Sequence, residues 1–269
     1  MSSVAQVLER TRAEGRAALV GYLPVGYPDV PGSIEAMVAM VEAGVDIVEI
    51  GVPYTDPLMD GPVIQHAVDA ALKGGTRLAD VFTAVRAVAD AGAPALVMTY
   101  WNPVLRYGVD RFASDLAAAG GAGLITPDLI PDEGQDWIDA SGRHDLDRVF
   151  LVAPSSTDER LRSTAEACRG FVYATAVMGV TGARAAVGDA AEELVTRARA
   201  ATDTPVCVGL GVSTGAQAAE VGAFADGVIV GSALVRALSD AEASGDRAGG
   251  IAALRDLAAE LAAGVRKGR

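Results

Sequence analysis

At 269 residues, 51% hydrophobic and 21% charged, the chain has the length for one large α/β domain or two small ones with a substantial core and is too apolar for intrinsic disorder. A net charge of −13, with a basic cluster only at Arg266, Lys267 and Arg269, argues against a phosphate-facing nucleic-acid surface. The two cysteines, Cys168 and Cys207, are too few for a disulfide scaffold and read as buried structural thiols.

No apolar run approaches the roughly 18 residues of a membrane span. The start, Met1 to Glu14, carries polar and charged residues where a secretory leader needs a continuous apolar stretch. The expected location is the cytoplasm, with neither membrane nor nucleic acid as partner.

Along the chain a helical pattern over Ser3–Ala13 comes first and precedes a short apolar run, Ala18–Leu23. Similar runs follow at Val45–Val52, Pro94–Tyr100, Gly123–Pro127, Val149–Pro154, Phe171–Thr175, Pro205–Leu210 and Gly227–Gly231, which makes eight. Between them lie segments with apolar residues at three- and four-residue steps, such as Ser33–Ala43, Thr157–Cys168 and Asp189–Ala201. Near-continuous apolar strands alternating with helices imply parallel pairing buried on both faces. An open doubly wound sheet and a closed barrel both satisfy that alternation. Eight units in about 250 residues favour the (β/α)₈ TIM barrel.

The widest gap, after the second strand, holds two helical patterns, Val63–Lys73 and Leu78–Ala89, and reads as an insertion. The first helix is extra to the barrel and is placed to cap its N-terminal face. After the eighth strand, Ala233–Ala243 and Gly250–Val265 read as helices. No linker or compositional break divides the chain, so residues 1–269 read as a single α/β domain.

In such a barrel the chemistry belongs at the C-terminal ends of the strands and in the loops that follow. Glu49 interrupts the apolar second strand, where an ionised carboxylate suffers a large desolvation penalty. A buried ion pair or a solvent-facing strand end would account for it structurally. The loop after it, Pro53 to Pro62, holds Asp56 and Asp60 among prolines and a glycine. Asp56, before Pro57, suits a turn role. Asp60 pairs with Glu49 as a loop carboxylate beside a strand carboxylate, an arrangement suited to moving protons at two ends of a substrate.

The last strands carry glycines instead: Gly179 and Gly182 after the sixth, Gly209 and Gly211 at the seventh, Gly231 with Ser232 at the eighth. Each alone would pass for a turn. Together they suit a phosphate approached by backbone amides and a helix N-terminus. Ser232 could donate to that anion or cap a helix. His66 and His144 have no neighbours at ligand spacing, so no metal site is expected. Ser155-Ser156 lacks a nucleophile elbow and reads as a helix cap before Asp158.

The run Glu49-Ile50-Gly51-Val52-Pro53-Tyr54-Thr55-Asp56-Pro57-Leu58-Met59-Asp60-Gly61-Pro62 resembles the signature of the tryptophan synthase α subunit family. The likeness extends over the whole chain through Tyr100-Trp101-Asn102-Pro103, Pro127-Asp128-Leu129, Gly179 to Arg184, Gly209 to Val212 and Gly231-Ser232-Ala233. It implies retro-aldol cleavage of indole-3-glycerol phosphate to indole and glyceraldehyde 3-phosphate, without a cofactor on this chain. It further implies a pyridoxal-phosphate-containing β subunit as partner in an α2β2 complex.

By the same resemblance Glu49 and Asp60 are the catalytic pair. Glu49 serves the proton transfers near indole C3, and Asp60 bonds the indole N–H. Tyr100 and Tyr173 match pocket residues. Gly182, Gly211, Gly231 and Ser232 match a phosphate site, and Thr181 a sixth loop that closes over substrate. Three positions depart from the family pattern: Met59, Val177 and the first loop, Pro24-Val25-Gly26-Tyr27-Pro28. A stand-alone lyase, a non-catalytic phosphate-binding barrel, or another barrel enzyme of the same pathway are the alternatives. The strand-plus-loop carboxylate pair speaks against the last two.

Overall fold

A computed structural model describes residues 3–175, 184–209, 211–242 and 245–267, with the backbone alone for 184–188 and 241–242. Helix α1 (Ser3–Ala13) leads into strand β1 (Ala18–Pro24), helix α2 (Val30–Glu42) and strand β2 (Ile47–Gly51). Helices α3 (Pro62–Lys73) and α4 (Leu78–Asp90) both precede β3 (Ala95–Met98), as the wide gap in the apolar runs predicts. The next connection is also double, α5 (Trp101–Tyr107) and α6 (Val109–Ala118), ahead of β4 (Gly123–Thr126). A 3₁₀ turn at Pro131–Glu133 and α7 (Gln135–Arg143) lead to β5 (Asp147–Val152), then α8 (Asp158–Ala167) and β6 (Val172–Thr175). The chain closes with α9 (Arg184–Ala201), β7 (Val206–Gly209), α10 (Gly215–Gly222), β8 (Gly227–Val230), α11 (Ser232–Glu242) and α12 (Arg247–Val265).

The eight strands form a closed, all-parallel barrel in sequence order, with β1 pairing β8 through Ala18↔Gly227 to Gly21↔Val230. The closed alternative is therefore the one the chain adopts. Side chains alternate about each strand. On β2, Ile47 joins the interior cluster, whereas Val48 and Ile50 join the larger cluster beneath the helices. Those outward residues meet helix faces carrying Trp137, Phe112 and Met37.

Helix α1 plugs one end of the barrel. Val4, Val7 and Leu8 join Ala18, Val20, Ile47, Leu96 and Phe171 in the interior cluster, so α1 lies across the N-terminal mouth. Its basic last turn is tied down by ion pairs, Arg10 to Asp46 at 3.7 Å and Arg12 to Asp226 at 3.3 Å. Arg16 forks onto Asp46 at 2.7 and 2.8 Å, a bidentate geometry that fixes both partners. With that end closed, only the C-terminal mouth is left for ligands.

Each strand differs from its apolar run by one or a few residues at an end, and two local differences from the sequence reading have a clear cause. Strand β5 begins at Asp147, not Val149, because a fully buried carboxylate paired with Arg169 at 3.3 Å opens it; a charge at a strand start breaks the apolar pattern without breaking the ladder. The cap before Asp158 is Thr157, whose Oγ1 accepts from Arg160 N at 3.3 Å, while Ser156 Oγ closes a turn by accepting from Ala153 N. Among the described residues no helix is long and apolar enough to cross a membrane.

Candidate active site

Glu49 shares the inward face of β2 with Ile47, one layer nearer the open mouth. It is 1% exposed, its Oε1 has no hydrogen-bond partner, and no ion pair reaches it among the described residues. The structural explanation for a strand glutamate, a buried ion pair, therefore finds no support there. Desolvation pushes its carboxyl up to about 8, which keeps it protonated at neutral pH.

The carboxyl opens into a cavity of about 250 Å³ whose walls come from most of the barrel: Tyr22 of β1, Met98 of β3, Leu151 of β5, Tyr173 and Thr175 of β6, Gly209 of β7 and Ile229 of β8. Met59, Asp60, Gly61 and Ile64 close one side, and Gly211, Gly231 and Ser232 another. Of the residues singled out from sequence, Glu49, Asp60, Tyr173, Gly211, Gly231 and Ser232 thus meet in one space. Thr181, Gly182 and Val177 lie outside the described residues. A hollow of about 460 Å³ between Tyr54, Pro57 and α3 lies outside the barrel and does not touch Glu49.

Tyr100 sits elsewhere than a pocket residue would. It does not line the cavity; its Oη accepts hydrogen bonds from Leu58 N at 3.0 Å and Met59 N at 2.9 Å and donates to Asp60 Oδ1 at 3.2 Å. Its ring packs on Tyr54 with centroids 5.4 Å apart, and Gln65 Nε2 donates to the Asp60 carbonyl at 2.8 Å. A side chain at the end of β3 thereby pins the loop that carries the second carboxylate. Burial raises the Asp60 carboxyl, and the Tyr100 hydrogen bond works against that rise.

The glycines serve two different needs. A Cβ on Gly209 would lie 2.7 Å from Tyr173 Oη, and one on Gly231 would lie 3.2 Å from Tyr22 Cδ1. A side chain at Gly209 would collide with the Tyr173 phenol, and one at Gly231 would press on the Tyr22 ring. Gly211, at φ +67 with nothing near its missing Cβ, leaves open room at the rim. Beside it α11 begins at Ser232, and with Gly231 and Ser232 in the cavity wall the first amides and the positive end of that helix dipole are placed toward the cavity. Among the described residues no cationic side chain lines this space.

Tyr22, Met98, Leu151, Thr175 and Ile229 escaped the sequence reading. The strand parity would have found them: each shares the inward face of its strand toward the mouth. Among the described residues no three His, Cys, Asp or Glu side chains cluster as a metal site would.

A neutral buried acid, a tethered loop carboxylate and an amide-lined recess in one cavity suit proton transfer to and from an elongated ligand bearing an anion at one end. Comparison with known proteins gives the same direction. Residues 8–265 match a sequence family described as "Tryptophan synthase alpha chain". The alpha chain of Mycobacterium avium (strain 104) is 64% identical over 266 residues, covering 99% of this chain and 95% of that protein. That of Mycobacterium tuberculosis (strain ATCC 25618 / H37Rv) is 63% identical over 267 residues, covering 99% and 96%. The structure of Mycobacterium tuberculosis tryptophan synthase in space group F222 superposes with a TM-score of 0.92 at 62% identity, covering 98% of each chain.

Proposed function

This chain belongs to the tryptophan synthase alpha chain family, and from that premise we propose which of its residues carry the reaction. The activity is that of the carbon–carbon lyase of tryptophan biosynthesis, which cleaves indole-3-glycerol phosphate to indole and glyceraldehyde 3-phosphate.

Breaking the bond between indole C3 and the glycerol chain requires a proton at C3. Glu49 holds one at neutral pH and faces the cavity. Its transfer to C3 leaves positive charge on the ring nitrogen, which the Asp60 carboxylate stabilises. Glu49, now a carboxylate, takes the proton of the adjacent side-chain hydroxyl as that carbon becomes the aldehyde. The electrons of the breaking bond return to the indole ring, and Glu49 ends protonated as it began. The phosphate lies at the start of α11, against the amides of Gly211, Gly231 and Ser232; the family resemblance assigns Gly182 to the same phosphate site and Thr181 to the loop that closes over substrate. Tyr173 borders the ring, and Tyr100 holds Asp60.

The observation that carries this reading is the buried, unpaired Glu49 carboxyl facing Asp60's cavity. Glu49→Gln keeps the shape and removes the titrating proton. Indole release should fall by about 10²- to 10⁴-fold, the range of a general acid–base contribution, while an unreactive indole-alkyl phosphate still binds. Undiminished turnover would refute the assignment.

The same reading places a β subunit over the open mouth in an α2β2 complex, consistent with solved relatives being tryptophan synthase structures. Leu58, Met59, Leu105 and Ile130 are large apolar side chains left exposed there. They lie on neighbouring segments joined by Tyr100 to Leu58 N and by Asp128 to Trp101 N. Pyridoxal phosphate belongs to that partner in this proposal, the lyase step drawing only on side chains of this chain. The enzyme works in the cytoplasm. Turnover measured with and without β subunit separates a coupled subunit from a stand-alone lyase.

A further inference from the structure

We propose that the Tyr22 hydroxyl is the hydrogen-bond donor that receives Glu49 when it becomes a carboxylate, making Tyr22 a positioning residue for the proton carrier. The inference rests on the reading of Glu49 as that carrier. Tyr22 and Glu49 are register partners on adjacent strands, Tyr22↔Glu49, and both line the cavity. Two residues beyond Glu49 on the same inward face is Gly51, where a Cβ would fall on the Tyr22 hydroxyl and ring. The phenol therefore leans across β2 just above the carboxyl. Gly231 clears the other side of the same ring. Within the described residues Tyr22 Oη makes no hydrogen bond, so its proton is free to be donated.

Among the described residues four titratable groups face Glu49 from the elements around it: Tyr22 of β1, Asp60 of the following loop, Tyr173 of β6 and Cys207 of β7. Asp60, as the carboxylate the reaction needs, has no proton to donate. The Tyr173 oxygen lies against Gly209 of β7, and the Cys207 sulfur against Gly227 of β8, 2.6 Å from its missing Cβ. Each lies against a strand other than β2. Among the described residues Tyr22 alone of these groups stands over β2 with a donor. Burial holds its phenol protonated, and a buried carboxylate without a donor is costly.

The effect is read on Glu49 itself. In the full-length protein, infrared difference spectra titrate the Glu49 carboxyl, assigned by subtraction of Glu49→Gln. Tyr22→Phe should raise the midpoint by about one pH unit, the shift expected when one donor to the charged form is lost. The kcat for indole release should fall about tenfold, with KM changed less than about twofold. Tyr22→3-fluorotyrosine, a stronger donor of nearly the same shape, should lower the midpoint and keeps the test alive if the Phe variant folds poorly. An unmoved midpoint in the variants would overturn the proposal and leave Glu49's role intact. Retained turnover in Glu49→Gln would instead overturn the reading on which it stands.

Discussion

Glu49 keeps a proton in the folded protein that the unfolded chain would release. Its carboxyl titrates at about 8 when buried, against 4.5 in water. Below pH 4.5 both states are protonated. As pH rises from there to about 8 the unfolded chain ionises first, so this residue's contribution to stability is lost over that window. Glu49→Gln should therefore raise the melting temperature at pH 8, by on the order of a few kcal/mol of stability, and have little effect near pH 4.5. Calorimetry at the two pH values checks it, and equal shifts at both would contradict the raised carboxyl. A site that destabilises its own fold is the expected companion of an acid kept ready for use.

Among the elements, the loop after β2 owes its shape to another strand's side chain. Tyr100 gathers two backbone amides and the Asp60 carboxyl on one oxygen. Tyr100→Phe removes all three bonds while keeping the ring on Tyr54. Asp60 then loses the bond that lowers its carboxyl, so the acid limb of the kcat/KM profile should move to higher pH and the plateau should fall about tenfold. A superimposable profile would show that the loop needs no such tether. Helix α1 makes the opposite case, since it supports the barrel from the end remote from the site. Leu8, 3% exposed beneath the strands, should cost about 2–5 kcal/mol on truncation to Ala. Urea unfolding measures the loss, and kcat for indole release should be unchanged.

For the whole molecule, one closed end and one open end leave a single face for substrate and partner. Leu58 at 78% exposure and Leu105 at 50% stand on that face, and in the proposed complex they are the apolar side chains that the partner would cover. Leu105 touches neither cavity nor carboxylates, so Leu105→Asp should weaken β-subunit binding at least tenfold in titration calorimetry and leave indole release by the isolated chain unchanged. Undiminished affinity would move the interface elsewhere. The eight strands in their order, Glu49 within the second and Asp60 in the loop after it could be seen in the amino-acid sequence, because burial on both faces writes continuous apolar runs and a charge inside one is conspicuous, whereas the doubled connection α5–α6 was not legible there. Tertiary structure alone decided that Tyr100 serves the loop and not the cavity, that Tyr22 stands over Glu49, and that Gly209 and Gly231 make room for tyrosine rings. Each depends on which strands close beside which and how far a side chain leans across its neighbour, relations between distant segments that no local pattern encodes.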